Sequence, residues 1–319
     1  MLFRLIALAV APCSFASVLA AAELPAGSAP MASAAADKSE PVGDDVIAAA
    51  QRWLKGNESG KSDLEALAAK GRSDAQEMLG EVLGPVGPQQ LRNEVAACGW
   101  FAKAASSRSD AIHNLALCFE KGVGGQPNLA RAAALYQQAA ERNYPKSMCA
   151  LGNLYVAGRG VPKDELKGAA LCQQAAKLGD PDAQTDLGNF YLMGVGVQRD
   201  VVQARYWYEL AAVQRQPNAQ FVLGQIYWNG DGIARDRVKA AELLKAAYQG
   251  GRTEAAYLLA PWLFARWMSA HPKGDVTGLD EAIEYGEVAV KTAPADKRGD
   301  QEALLSAMRA ARSAASKER

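Results

Sequence analysis

The feature that most constrains the fold is an eleven-residue motif that recurs at a spacing of 36 positions. The segments LGNLYVAGRGV at 151–161 and LGNFYLMGVGV at 187–197 share a Leu-Gly pair, an aromatic residue four positions after the leucine and a Gly-x-Gly-Val ending. The same step aligns six leucines along the chain: Leu79, Leu115, Leu151, Leu187, Leu223 and Leu259. A period of this length predicts a fold in which one supersecondary unit is stacked many times.

The residues around each leucine predict a first helix in every unit. The position after the leucine is always Gly or Ala, and small or apolar residues stand four positions before and after it. This spacing places the three positions on one helix face. A Gly-x-Gly pair such as Gly158 and Gly160 then predicts the helix end, because glycine adopts a left-handed backbone without steric penalty.

A second helix is predicted to follow each Gly-x-Gly pair. Its start is marked by a residue type that caps helices, thirteen positions after the leucine: Asn128, Asp164, Asp200 and Asp236. An isolated helical hairpin cannot cover its own apolar face, so hairpins of this kind should stack and share a continuous core. The predicted fold class is all-α, an α/α solenoid of about six 36-residue helical hairpins with terminal capping helices.

These motifs resemble those of the Sel1-like repeat proteins, which are α/α solenoids related to tetratricopeptide repeats. The resemblance rests on the frame A-x-x-x-L-G-x-x-Y-x-x-G-x-G-V, on the 36-residue period and on the W-Y-x-x-A-A run at 207–212. It covers about residues 62–265. The first unit departs from the frame, with the loop GPVGP at 84–88. The resemblance implies an interaction module, and bacterial members with signal peptides work in the periplasm.

The segments outside the repeats have their own predicted roles. Residues 1–22 combine a positive start, an apolar run and an Ala-x-Ala ending, which predicts a cleaved signal peptide; an uncleaved membrane anchor is the alternative. Residues 23–43 are rich in Ala, Pro and Ser and predict a disordered linker. Residues 44–61 are expected to form an N-terminal capping helix, and 266–319 the C-terminal capping helices. We expect a periplasmic or secreted protein of a Gram-negative-type envelope.

Composition and motifs argue against several kinds of chemistry. Lysine plus arginine and aspartate plus glutamate balance at 35 each, so we expect no nucleic-acid partner. The two histidines, His113 and His271, lie in different regions without clustered cysteines or carboxylates, so we expect no metal and no cofactor. No nucleophile motif occurs, and we expect no enzymatic activity. A cell-wall or β-lactam hydrolase is the alternative, because some cysteine-rich relatives have been assigned such activity.

Four cysteines remain after the predicted signal peptide: Cys98, Cys118, Cys149 and Cys172. An oxidising compartment permits disulfides, and four cysteines allow three pairings. We favour Cys98 with Cys118, because each lies ten residues from position 108 in a turn between two predicted helices. Cys149 falls in a repeat column of mixed polarity and is expected to be exposed, which ranks its pairing with Cys172 second.

The candidate partner-binding surface comes from positions −2, +2 and +5 relative to the repeat leucine. These positions lie opposite the packed side of the first helix, on the side that lines the concave face in related solenoids. The candidate residues are Asn153, Thr185, Asn189, Leu192, Phe221, Gln225 and Trp228. Amides can bond a peptide backbone, and apolar neighbours can provide sequence preference. We therefore expect a protein or peptide partner.

Two other interpretations of this surface stay open. The amides can simply solvate the face while Phe221 and Trp228 contact the C-terminal cap. Alternatively, Trp228 and Tyr257 can stack on a glycan or on peptidoglycan.

Overall fold

The structure, a computed structural model, describes residues 41–270 and 276–317. Fifteen α-helices and two short 3-10 helices, Gln89–Leu91 and Thr253–Ala255, occur in these residues, and no β-strand does. The all-α fold class is confirmed. The predicted signal peptide and residues 23–40 of the predicted linker lie outside the described residues. Across the part of the chain that the structure describes, no helix has the length and apolar character needed to cross a membrane.

The helices fall into two compact units, one ending at Leu178 and the other beginning at Gly179. The first unit has four antiparallel hairpins: α1 Asp44–Leu54 with α2 Glu58–Ala69, α3 Ser73–Leu83 with α4 Glu94–Ala104, α5 Ser109–Lys121 with α6 Leu129–Glu141, and α7 Pro145–Ala157 with α8 Glu165–Lys177. The second unit has three hairpins and a final helix: α9 Pro181–Met193 with α10 Val201–Val213, α11 Pro217–Asn229 with α12 Arg237–Gln249, α13 Ala256–Ala270 with α14 Thr277–Thr292, and α15 Ala295–Lys317.

The turn inside each repeat hairpin is built as the sequence predicts. The first helix ends at a glycine with a left-handed backbone, for example Gly158 with φ of 65° and Gly194 with φ of 76°. The second helix begins at a carboxylate or amide cap, and Asp200 accepts hydrogen bonds from the backbone N–H groups of Val202 and Gln203. The backbone N–H of the cap also donates to the carbonyl of the repeat aromatic residue, over 2.9 Å from Asp200 to Tyr191.

The two helices of a hairpin pack through one bulky side chain and one small residue. In the hairpin of α9 and α10, Tyr208 is fully buried and its ring lies directly against Gly188. A Cβ atom on Gly188 would lie 2.7 Å from Cε1 of Tyr208, which is closer than real Cβ contacts. The Gly-or-Ala position after the repeat leucine is therefore a notch that receives the second helix. The bulky residue facing it is called the knob residue below.

In the hairpin of α7 and α8 the knob residue is not aromatic, and the backbones of the two helices lie closer together instead. Its knob residue is Cys172, and a Cβ atom on Gly152 would lie 2.6 Å from the carbonyl oxygen of Gly168 on the facing helix. Gly168 occupies the column that is Ala132, Ala204 and Ala240 in the other hairpins. Two glycines that face each other let these helices approach more closely than their neighbours do.

The N-terminal end departs from the predicted segment boundaries. Val42 is 8% exposed and belongs to the core under α1 to α3, and the backbone N–H of Gly43 donates to Asp74 Oδ2 over 3.0 Å. The expectation that the disordered linker continues to residue 43 is therefore wrong at these positions. A short apolar contact and one backbone hydrogen bond hold the chain here, and composition does not reveal either of them.

A cluster of charged residues is buried where α3 meets the start of α5. Glu77 and Arg108 are 2% and 3% exposed, and Arg108 Nε donates a hydrogen bond to Glu77 Oε2. Asp110 and Glu81 add negative charge close to this pair, and Lys146 adds positive charge close to Glu81. Burial, reinforced by Asp110, raises the pKa of Glu77 to about 8, and burial also raises the pKa of Glu81.

The C-terminal end of the second unit has its own core. Leu259, Leu263, Leu279 and Met308 belong to one buried cluster contributed by α13, α14 and α15. The apolar stretch around Pro261 therefore forms core, and Pro261 lies inside α13.

We predict that Gly188→Val lowers the thermal midpoint of unfolding far more than Gln198→Val. The valine side chain would overlap the ring of Tyr208, and overpacking of this kind typically costs about 1 to 3 kcal/mol. Gln198 is exposed in the loop between α9 and α10 and provides the matched control. Thermal unfolding followed by circular dichroism measures both variants. Equal midpoints would show that the notch is not a packing constraint.

We also predict that Glu77 makes the protein less stable as pH rises. Its pKa in the folded state is raised to about 8, above the value in an unfolded chain, so its stabilising contribution is complete below the unfolded pKa and is lost as pH passes about 8. Glu77→Gln mimics the protonated form and should remove this part of the pH dependence. Denaturant unfolding from about pH 5 to about pH 9 tests it. Identical pH dependence in both proteins would contradict the assignment.

Candidate binding surface

The side chains two positions before the repeat leucine, at the −2 position, are buried in several units. Thr185 is 4% exposed, and its hydroxyl donates to the carbonyl of Pro181 over 2.7 Å. His113, at the same position of an earlier repeat, is largely buried, and its Nδ1 atom lies 2.9 Å from Ser147 Oγ. The −2 side chains face the packed interior because this position lies next to the interface between neighbouring helices. Thr185 is therefore not available to a partner, which corrects the predicted set.

His113 and Ser147 pair a base with a hydroxyl nucleophile, as some catalytic sites do, but a substrate cannot reach them. Ser147 is completely buried, so no substrate reaches its hydroxyl. Burial lowers the pKa of His113 to about 4, and the imidazole packs between the rings of Tyr136 and Tyr144. We interpret this pair as a contact that joins α5 to α7.

Asn189 is engaged by the knob of its own hairpin. Its Oδ1 atom accepts a hydrogen bond from the hydroxyl of Tyr208 over 2.7 Å. In the hairpin of α5 and α6 the hydroxyl of Tyr136 donates in the same way to Glu120 Oε2 over 2.9 Å. Burial raises the pKa of both tyrosines, so both hydroxyls remain protonated donors. One function of polar residues on the first helix is thus to bind a buried tyrosine.

The remaining candidates divide between surface and core. Asn153 is exposed on α7, in the first unit. Leu192 is half-buried against the core of α10 and α11. Trp228 and Phe221 are half-buried against the core that α12 to α15 share, so neither side chain is fully open to a partner. The guanidinium of Arg237 lies 5.5 Å from the ring centre of Trp228.

Phe221 and Gln225 also line a groove of about 410 Å³ in the second unit. The next first helix, α13, contributes Tyr257 and Leu258. The last residue of α14, Thr292, and Pro294 in the turn after it also line the groove. Glu254 and Lys297 complete the lining. We call this the C-terminal groove. It is mostly apolar, with an amide, two hydroxyls and two charges, a composition typical of sites that bind small ligands or short peptide segments.

The charges around the groove are arranged unevenly. Arg252 lies with its guanidinium 5.0 Å from the ring centre of Phe221 and donates to Asn218 Oδ1 over 2.8 Å. The same arginine is paired with Glu254, with Nε 3.5 Å from Oε2. Lys297 is exposed in the first turn of α15. The groove therefore has one carboxylate, that of Glu254, which is paired with an arginine, and one ammonium group, that of Lys297, on its rim.

Only part of this groove could be identified from the sequence. Tyr257 occupies the −2 position of the last predicted unit, and the sequence marks it only as a surface that can stack on a glycan. Pro294 and Lys297 come from the closing helices, which have no repeat register to place them.

The structure contains two disulfides in the first unit. Cys98 is bonded to Cys118, the favoured pair, and Cys149 is bonded to Cys172. The expectation that Cys149 is exposed is wrong: it is 4% exposed, and Cys172 is fully buried. The mixed repeat column is misleading because the −2 position faces the second helix in this hairpin. Each sulfur is bonded to another sulfur, so none of the four is available as a thiolate metal ligand.

Comparison with known proteins gives a family match over most of the repeat region. The Sel1 repeat model matches five segments, which together make up more than half of the chain: residues 73–108, 109–144, 145–180, 181–214 and 217–251. The sixth unit predicted from the sequence, around Leu259, lies outside these segments.

Two solved structures share the fold. A Sel1 repeat protein from Oxalobacter formigenes is 26% identical with a TM-score of 0.60, and the similarity covers 77% of this chain and 97% of that one. A protective antigen present in uropathogenic Escherichia coli strains, with an SLR fold, is 24% identical with a TM-score of 0.56, covering 82% of this chain and 56% of that one. At this lower identity the likeness concerns the fold alone.

Protein SHC1 of Saccharomyces cerevisiae is 31% identical over 104 residues, which are 32% of this chain. The chain spans about a fifth of the length of the curated relatives it matches.

We predict that replacing either cysteine pair by alanine destabilises the protein. The bonded residues are 20 and 23 positions apart, and closing a loop of this length contributes about 3 kcal/mol through the unfolded state. Loss of Cys149 and Cys172 should cost more, because these side chains also fill the core. Denaturant unfolding of both double variants without reductant measures the difference. Wild-type stability in both variants would contradict the structural role of the disulfides.

Proposed function

Because the chain belongs to the Sel1 repeat family, whose members are generally protein-interaction scaffolds, we propose that it is a non-enzymatic scaffold or regulator that holds a protein or peptide partner. The partner binds along the surface of the first helices in the second unit. The observation that carries this proposal is the C-terminal groove. In it, Phe221 and Gln225 from one first helix meet Tyr257 and Leu258 from the next.

The lining of the groove suits a polypeptide. Aromatic and aliphatic side chains provide apolar area that a partner side chain can bury, and the Gln225 amide can both donate to and accept from a backbone peptide group. The groove is open at the surface, because Gln225, Tyr257 and Leu258 are all half-buried rather than enclosed.

We place this scaffold in the periplasm of a Gram-negative-type envelope. The signal-like composition of residues 1–22 supports this location. The pairing of all four cysteines within the described residues supports it independently, because disulfides persist in oxidising compartments and are rare in the cytosol.

We predict that Gln225→Arg weakens capture of the native partner. The longer charged side chain would occupy the groove and remove the neutral amide. Tagged wild-type and variant proteins, expressed in the native host and cross-linked before purification, would be compared by quantitative mass spectrometry. The proteins enriched by the wild type should fall at least about tenfold with the variant, as expected when a central contact worth about 1.4 kcal/mol or more is lost.

Gln198→Arg provides the matched control, because it makes the same substitution at an exposed loop position of the same unit. It should capture the partner as the wild type does. If Gln225→Arg is folded and captures the same proteins at the same level, the partner does not bind in this groove. If the wild type enriches no protein over the tag alone, the scaffold proposal itself is wrong.

A further inference from the structure

The charges of the C-terminal groove indicate which kind of peptide it binds. Glu254 is paired with Arg252, which also contacts Asn218 and the ring of Phe221. Lys297 forms none of the ion pairs found among the described residues, although Asp296 and Asp300 are close to it in sequence. The groove therefore has a positive charge at its rim that no carboxylate of the described residues satisfies within 4.0 Å.

The apolar part of the groove lies beside this charge. Phe221, Tyr257, Leu258 and Pro294 form its apolar lining, and Thr292 and Gln225 provide neutral hydrogen-bonding groups. A volume of about 410 Å³ is near the lower end of the range of about 300 to 1,000 Å³ for small-ligand sites. It can hold a short segment of chain but not a folded domain.

Resting on the scaffold function proposed above, we infer that the groove binds an extended peptide segment with an apolar side chain next to a carboxylate. The apolar side chain enters between Phe221 and Tyr257, and the carboxylate pairs with the Nζ atom of Lys297. Gln225 bonds the peptide backbone between them. The carboxylate belongs to an Asp or Glu side chain, and a free chain end, which presents the same oxygens to an ammonium group, is tested separately.

The test uses synthetic peptides with Gly-Ser flanks, a fluorescent label and blocked termini. Their central dipeptides are Leu-Glu, Leu-Gln, Leu-Lys and Ser-Glu. A fifth peptide ends in Leu with a free carboxylate, which separates a chain end from an acidic side chain. Binding to the full chain is measured by fluorescence anisotropy. We expect Leu-Glu to bind at least about fivefold more tightly than Leu-Gln and Leu-Lys, the size of effect that a surface ion pair worth about 1 kcal/mol produces, and also more tightly than Ser-Glu, which lacks the apolar side chain. Tighter binding of the free-ended peptide than of Leu-Glu would assign the carboxylate to a chain end and contradict this prediction.

Charge reversal provides the decisive comparison. Lys297→Glu should lose the preference for Leu-Glu and gain a preference for Leu-Lys. Lys291→Glu, an exposed substitution on α14 outside the groove lining, should bind all peptides as the wild type does. Both positions are exposed, so neither change is expected to affect folding, and circular dichroism would verify this.

Three results would overturn the inference. The first is equal affinity of the wild type for the Leu-Glu, Leu-Gln and Leu-Lys peptides, or no binding of any peptide. The second is an unchanged preference in Lys297→Glu. The third is a dimer in solution that Lys297→Glu dissociates, which would make a second copy of the chain the occupant. The scaffold proposal stays intact in the first two cases if Gln225→Arg still abolishes partner capture, so the two failures can be told apart.

Discussion

The structure depends on the contact between a small residue on the first helix and a bulky residue on the second. Glycine within a helix costs roughly 0.5 to 1 kcal/mol relative to alanine, yet the notch position is glycine in four of the six units. The ring of Tyr208 against Gly188 shows why, since no Cβ atom fits between them. The four hairpins that have a glycine at this position close through this contact, and the closed hairpins then present the apolar faces that stack. The repeated Leu-Gly pair is thus a packing constraint and not a chemical motif.

This constraint also decides what the polar residues of the first helix do. A buried tyrosine knob needs an acceptor for its hydroxyl, and Asn189 and Glu120 provide it. Where the knob is Leu244, no such acceptor is needed, and Gln225 on the facing helix lines the C-terminal groove instead. Where leucine replaces tyrosine as the knob residue, the polar side chain on the first helix is therefore available to bind a partner. The groove lies where the repeat ends and the closing helices begin.

The features that recur in the repeats could be predicted from the sequence, because the same type of residue stands at the same position in several units. The helix ends at Gly158 and Gly194 and the cap at Asp200 are examples. Features that occur only once in the chain could not be predicted in this way. Cys149 is buried because its partner lies 23 positions away in the facing helix, which the mixed column hides. Lys297 and Pro294 line the same groove as Phe221 only through the packing of the closing helices, and neither composition nor period encodes that placement.

A double-mutant cycle on Gly224 and Leu244 tests the central claim most directly. A Cβ atom on Gly224 would lie 2.9 Å from Cγ of Leu244, so Gly224→Ala alone should be destabilising although alanine favours helices. In a Leu244→Ala background the clash is gone, and the same Gly224→Ala change should be neutral or stabilising. We expect a coupling free energy of about 1 kcal/mol or more from denaturant unfolding of the four proteins. Additive effects of the two substitutions would contradict the claim that notch and knob residues determine how each hairpin closes.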